Sequence, residues 1–518
     1  LFTGGFTAAA NYPLSLFNCA FVEPDHLKAF YHVLYGLSVG AGVGYRNTYD
    51  VADKLPKFRQ DISLQLMPYM PVPKTMRKDK TRVIMLGDTV SILIGDSRDG
   101  WGEAIHKFLQ YMSHEIDHDY KNIRIVFNNI RPAGEPLRTF GGYASGPEPF
   151  MNAFRKIHEV ITGNFRDSYG NTLTEKMVDG KIRPIHIMHI ANSIAEAIVV
   201  GGVRRSAMIA LFSRNDDEMA KAKTSFTDFS DPKISHYWLS NNTMIIEDGY
   251  EPTKAEIKEW INNIRSLGEP GFANESQILK RHPEARGLNP CGEILLKSFG
   301  LCNLVTFNMI AYVKNGKINY KQLEHDLRVL TRSAFRVTLN KLEKERWDAT
   351  QKEDRLLGVS PTAWMDMLEA TDLTIEQEET LLTWLYNTIR DAADSYADQL
   401  GLKHSLNVTA VKPSGTLSLI ANGASAATHS SHSPFHYRTI RMDKANPMFK
   451  VIRKLNWRIE DDITRPDTTA VIYFPVKSEA KRTKFDVSAI EQLERYKRFQ
   501  KFYTDQNTSG TIYKPIRI

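Results

Sequence analysis

Gly287–Thr306 reads GLNPCGEILLKSFGLCNLVT, and it holds two of the chain's three cysteines, Cys291 and Cys302. Asn289 and Glu293 stand on either side of Cys291. A thiol can give up a hydrogen atom or attack carbon, a carboxyl can move a proton, and an amide can hold a hydroxyl in place. Pro290 restricts Asn289 to an extended or turn conformation. Gly292 lets the chain bend sharply after Cys291. The pattern predicts a loop tip that presents Cys291, not a helix. Free cysteines are also common as small buried hydrophobes. Polar neighbours at Asn289 and Glu293 set the reactive reading beside that one.

Composition bounds what such a loop could serve. The chain has 518 residues, 42% hydrophobic and 25% charged, which allows one large folded unit or several domains. Its formal net charge is +7 and its pI about 9.0, which suits anionic ligands. No concentrated basic arm accompanies that charge, so nucleic acid is not an expected partner. Three cysteines make no disulfide framework, and without a close CxxC pair a structural zinc site has no support. Inducible thiol chemistry in a reducing cytoplasm fits better. The apolar run at 190–200 is broken by Asn192 and Glu196 and is too short to span a bilayer, so no membrane partner is expected.

Outward from the cysteine stretch, strand and helix patterns alternate, which predicts an α/β assembly. Pro13–Val22 is apolar and makes Cys19 a candidate strand residue. Helical spacing over His26–Leu37 leads into GLSVGAGVGY, where Gly40, Gly42 and Gly44 allow close backbone approach. They could admit a nucleotide or cofactor, or only shape a turn. Arg82–Leu86 and Val90–Ile94 read as strands, followed by Asp96 and Ser97 as helix caps and Arg98 as a phosphate contact. After the strand at Ile123–Phe127, a Gly- and Pro-rich loop carries Arg131 and Arg138. A loop that long is either functional or a surface connection.

Arg183–Gly201 is helix-compatible, and its His186 and His189 are expected to pack rather than bind metal. Arg204 and Arg205 in GGVRRSA could hold phosphate or form an ionic network. Thr253 with Glu256 and Thr374 with Gln377 have capping-box spacing, and Ile257, Trp260, Ile261 and Ile264 form an apolar face. Ser360 and Pro361 read as a helix cap and first turn. Val408–Val411 reads as a strand before PSGTLSLI, where Ser414, Gly415 and Thr416 could offer hydroxyls and N–H groups to phosphate at a helix start. A plain helix cap would have the same appearance.

Taken together, NPCGE at Asn289–Glu293, Cys302, Cys19 in PLSLFNCAF, GGVRRSA and VKPSGTLS resemble the ribonucleotide reductases in order along nearly the whole chain. The likeness is strongest to the monomeric, adenosylcobalamin-dependent class II enzymes that reduce ribonucleoside triphosphates. It implies a ten-stranded α/β barrel of two five-stranded halves, with the Cys291 loop threaded through its centre. The whole chain, 1–518, would be one catalytic barrel, with an effector region inserted at about 50–145. Segments of the native protein before and after this chain are expected as well.

The resemblance also implies roles. Cys291 would carry a thiyl radical that abstracts the ribose 3′ hydrogen. Glu293 would deprotonate the 3′-hydroxyl, and Asn289 would orient the sugar. Cys19 and Cys302 would supply the electrons and finish as a disulfide. Ser15, Pro413, Ser414, Gly415, Thr416 and Leu417 would hold the substrate. Asp96, Ser97, Arg98, Arg131 and Arg138 would read a deoxynucleotide effector. Adenosylcobalamin would supply the radical, with no metal bound directly by the protein, and a thioredoxin-like reductant would restore the thiols. With no cysteine after Cys302, this chain would stall after one reduction. Two alternatives stand: a class I-type reductase served by a separate radical-generating metal subunit, and a non-catalytic nucleotide-binding regulator.

Overall fold

The computed structural model describes residues 6–117, 119–137, 143–199, 207–224, 226, 228, 230–415, 417–421, 423–462, 466–478 and 480–509. The chain divides into two compact units, one of residues 1–304, 333–357 and 401–407, the other of 305–332, 358–400 and 408–518.

The first unit is built on a run of parallel strands: β1 (Cys19–Val22), β2 (Gly42–Arg46), β3 (Met208–Ser213), β4 (Ser240–Ile246) and β5 (Gly271–Asn274). Strand β6 (Leu301–Asn308) lies antiparallel on the outer side of β1 and runs on into the second unit, where β7 (Leu357–Thr362) flanks it. Met208–Phe212 is buried along its whole length, as expected of a parallel strand covered on both faces. Helices α1 (Lys28–Ser38) and α4 (Pro184–Val199) supply much of that cover, through Phe30, Leu34 and Ile187 among others, and α2 (Arg98–Tyr111) and α3 (Glu148–Thr162) pack against those helices and extend the same core with Phe108 and Phe154. His186 and His189 of α4 are buried in this core.

The expected ten-stranded barrel of two five-stranded halves is not formed. The described strands make one open sheet of seven, in the order β7-β6-β1-β2-β3-β4-β5. The reason is visible within the second unit. Val408–Val411, read as a strand, makes only single bridges, Val359 with Thr409 and Val411 with Thr508. The Asp505 carboxylate accepts from the N–H groups of Val408 and Thr409 at 3.0 and 2.9 Å. Donors that would extend a ladder are thus spent on a side chain. Ser360 and Pro361 are likewise strand residues within β7, and the next helix begins at Trp364.

Between β2 and α3 a second sheet forms, ordered Ser63–Leu66, Asn122–Val126, Thr89–Leu93, Arg82–Leu86, the last strand antiparallel. Capping boxes form at Thr253/Glu256 and Thr374/Gln377. The helix that Thr253 starts, α5 (Lys254–Leu267), buries Trp260 over Phe272 of edge strand β5, with ring centres 5.8 Å apart. Ile257 and Ile261 remain 41% and 49% exposed, so the predicted apolar face is only partly covered. Among the described residues, no helix is long and apolar enough to cross a membrane.

Candidate functional site

Strand pairing brings two of the three thiols together. Cys19 begins β1, and its cross-strand partner in β6 is Cys302. Directly opposed residues of an antiparallel pair have Cα atoms about 4.5–5.5 Å apart, inside the span a disulfide bridges. Neither is in a disulfide, and both are buried.

The third thiol arrives on a hairpin. Gly287–Leu288 pairs with Leu295–Leu296, and the tip between them turns tightly. Gly292 N–H donates to Asn289 O at 2.8 Å, with Gly292 at φ 79°, a conformation that favours glycine. The Asn289 side chain fastens the turn from within, since its Oδ1 accepts from Ile294 N–H at 2.9 Å. Its Nδ2 donates to Cys19 Sγ at 3.4 Å, which ties the hairpin to the paired thiols. Asn289 and Glu293 are wholly buried, whereas Cys291 is exposed. The predicted loop tip is therefore present, with Cys291 exposed, Glu293 buried, and the hairpin joined through Asn289 to the buried Cys19.

Glycines make room for this hairpin. A Cβ on Gly44 would lie 2.0 Å from Leu288 O, and one on Gly42 would lie 2.9 Å from Pro290 Cγ. A Cβ on Gly287 would lie 2.2 Å from Phe21 Cε2. Gly42 and Gly44 both lie in β2, two apart and hence on one face, and what they admit is the cysteine loop. The two-residue spacing was visible in the sequence; its partner was not.

An ionic clamp secures the hairpin base. Glu23, one residue past β1, accepts from Arg286 Nε at 2.6 Å and donates its N–H to Ser298 Oγ at 3.1 Å. Arg286 also meets Asp50 at 3.3 Å, and Arg46 pairs with Glu275 at 2.8 Å while donating to Arg286 O at 3.3 Å. Sequence reasoning missed Glu23, Arg46 and Arg286, because their partners lie far along the chain. Ser15 sits in a short 3-10 turn, 5% exposed, and its hydroxyl has no hydrogen-bond partner among the described residues.

The other predicted residues are placed as follows. Asp96 accepts from Arg131 Nε at 3.1 Å and lies 3.6 Å from Arg77, which pairs in turn with Glu135 at 2.8 Å. Asp96 is thus committed to arginines, and Ser97 alone caps α2, through Gly100 N–H at 2.9 Å. Arg98 donates to Ser38 O at 3.2 Å and lies over the Tyr12 ring at 4.3 Å, and burial lowers its pKa. A cavity of about 490 Å³ lies beside these elements, lined by Lys28, Tyr31, Lys80, Glu103, His106 and Lys107. Burial, then Lys107 and Lys28, push the His106 pKa down to about 4. Arg138, Arg204, Arg205 and Thr416 lie outside the described residues.

In the second unit, Ser414 is buried at φ 53°, and Pro413 and Gly415 flank it. Leu417 opens a four-residue 3-10 turn, not the α-helix N-terminus expected to attract phosphate. Ser418 N–H closes the turn onto Ser414 O at 2.9 Å. Among the described residues, Glu284, Glu353 and Asp354 form one acidic cluster of metal-binding size, and Lys297 Nζ already meets all three at 3.1, 2.6 and 3.1 Å.

Comparison with known proteins places this geometry. Residues 72–161 match the family model of the B12-dependent ribonucleotide reductase insertion domain. The adenosylcobalamin-dependent ribonucleoside-triphosphate reductase of Euglena gracilis is 28% identical over 98% of this chain and 63% of its own length. That of Lactobacillus leichmannii is 27% identical over 92% of this chain and 67% of its own. A crystal structure of a B12-dependent, class II ribonucleotide reductase superposes with a TM-score of 0.78 at 22% identity, covering 96% of this chain and 74% of that one, which shows a shared fold. The chain is a homologue of the ribonucleotide reductases. More particularly, it is homologous to the adenosylcobalamin-dependent, class II ribonucleoside-triphosphate reductases, of whose length it spans about two thirds or somewhat less.

Proposed function

We propose that the protein reduces ribonucleoside triphosphates to 2′-deoxyribonucleoside triphosphates by radical chemistry, with adenosylcobalamin as cofactor. One observation carries the reading: Cys19 and Cys302 are cross-strand partners, and Asn289 of the Cys291 hairpin donates to Cys19.

The cofactor fits what the residues offer. Of the three thiols, only Cys291 is open to a large group. Bound adenosylcobalamin supplies the radical chemistry that a thiol cannot start alone. Cys291 takes the ribose 3′ hydrogen. Glu293, buried two residues further along, takes the 3′-hydroxyl proton. One Asn289 amide hydrogen meets Cys19, which leaves the second for a sugar hydroxyl. The 2′-hydroxyl leaves as water. Cys19 and Cys302 give up two electrons and two protons and become a disulfide, and Cys291 returns its hydrogen to C3′. The Ser15 hydroxyl contacts the substrate.

The cationic cavity lined by Lys28, Lys80 and Lys107, with the Asp96–Arg131 pair, supports a region at about 50–145 that binds an anionic deoxynucleotide effector. A thioredoxin-like protein or small dithiol restores the thiols of a monomeric, cytoplasmic enzyme, in keeping with three cysteines that form no disulfide. The test is deoxynucleotide formation from each of four ribonucleoside triphosphates, with dithiol, with and without adenosylcobalamin. Product only with cobalamin supports the reading. Product that instead requires an added radical-generating subunit favours the class I-type alternative, and nucleotide binding without product favours the regulator.

A further inference from the structure

The carbonyl immediately before Cys291 is held from outside its own hairpin. Asn241 is the second residue of β4, and its Nδ2 donates to Pro290 O at 2.9 Å. The Pro290 ring rests over Gly42 of β2, where a Cβ would come within 2.9 Å of its Cγ. On the other flank, Asn289 is tied to Cys19 and Ile294. The peptide that carries the Cys291 nitrogen is therefore fixed at its oxygen by Asn241, and a rotation of that peptide would swing the sulfur. Asn241 is itself exposed, so its side chain does not serve to fill the core.

We propose that Asn241 is a positioning residue, whose amide holds the Pro290 carbonyl and so fixes where the Cys291 sulfur stands. The inference rests on the reductase reading for its consequence in turnover, but not for its geometry. The position requires a donor. A carboxylate of the same shape has none to give and would face the carbonyl oxygen with like partial charge. A sulfur displaced by about 1 Å can cost on the order of 100-fold in rate, because hydrogen transfer depends steeply on approach.

The test compares Asn241→Asp, which keeps shape and removes the donor, with Asn241→Gln, which keeps a donor. The first measurement is the rate at which iodoacetamide alkylates Cys291 against Cys19 and Cys302, read by peptide mass spectrometry on the whole protein. The second is kcat and KM for the ribonucleotide. Asn241→Asp should raise alkylation at Cys291 alone by about threefold or more and lower kcat by about tenfold or more, with KM within about twofold. Asn241→Gln should recover most of both. Wild-type alkylation and kcat in Asn241→Asp would overturn the proposal, as would equal acceleration at all three cysteines, the mark of general loosening. If the wild-type protein reduces no nucleotide, the reductase reading falls, and the alkylation pattern alone decides the role of Asn241.

Discussion

At the scale of single residues, the site depends on atoms that are absent as much as on those present. Gly44 has no room for a side chain, since its Cβ would lie 2.0 Å from Leu288 O. Gly44→Ala should therefore lift the cysteine hairpin from β2, costing about 1–3 kcal/mol in stability and on the order of 100-fold in turnover. Thermal denaturation and steady-state kinetics check the two parts. A variant as stable and as active as wild type would show that the hairpin does not seat there. Cys291→Ser should abolish reduction while leaving nucleotide affinity within about twofold, because an exposed sulfur contributes little to packing. Equilibrium binding of a ribonucleotide to the inactive variant measures this. Asn289, Cys291 and Glu293 were legible at this scale because they lie in one short stretch whose Pro and Gly announce a tip. Asn241 and Glu23 were not, since nothing near them in sequence marks them as holders of that tip.

At the scale of elements, the hairpin and the buried histidines make separate predictions. Glu23 holds the hairpin at Arg286 and Ser298. Arg286 is partly solvated, so Glu23→Ala should cost about 1 kcal/mol locally, seen as about fivefold faster hydrogen exchange over 287–296. Unchanged exchange there would dissociate the clamp from the loop. In the core, His189 Nδ1 and His236 Nε2 lie 3.0 Å apart, and burial holds both pKa values well below the usual 6.5. Folded, both remain neutral; unfolded, both take protons below about pH 6.5. The unfolded state then binds more protons, so stability falls as pH drops from 6.5, by at most about 3 kcal/mol per pH unit for two groups. Urea denaturation between pH 7.5 and 5 should show that slope, flattened in His236→Asn. Helix starts were legible at this scale because a capping box is local chemistry, as at Thr253 with Glu256. Ser360 and Pro361 misled for the same reason: their local pattern suits a cap, while pairing along β7 draws them into a strand.

At the scale of the whole molecule, the sequence carried the α/β character but not the sheet. How many strands join depends on partners distant in the chain, and at Val408 and Thr409 the partner is the Asp505 carboxylate rather than another strand. The barrel was an inheritance from resemblance, and an open seven-stranded sheet replaces it. What survives that correction is the meeting of β1, β6 and the hairpin, which requires only one antiparallel register, Cys19 with Cys302. On the proposed function, this pair supplies the electrons for reduction. The most direct test of that role is a single turnover of the intact protein with ribonucleoside triphosphate and adenosylcobalamin but no external reductant, followed by peptide mapping. About one deoxynucleotide per disulfide is predicted, with the new bond joining Cys19 to Cys302 and Cys291 still a thiol. Deoxynucleotide formed while Cys19 and Cys302 both remain reduced would contradict it.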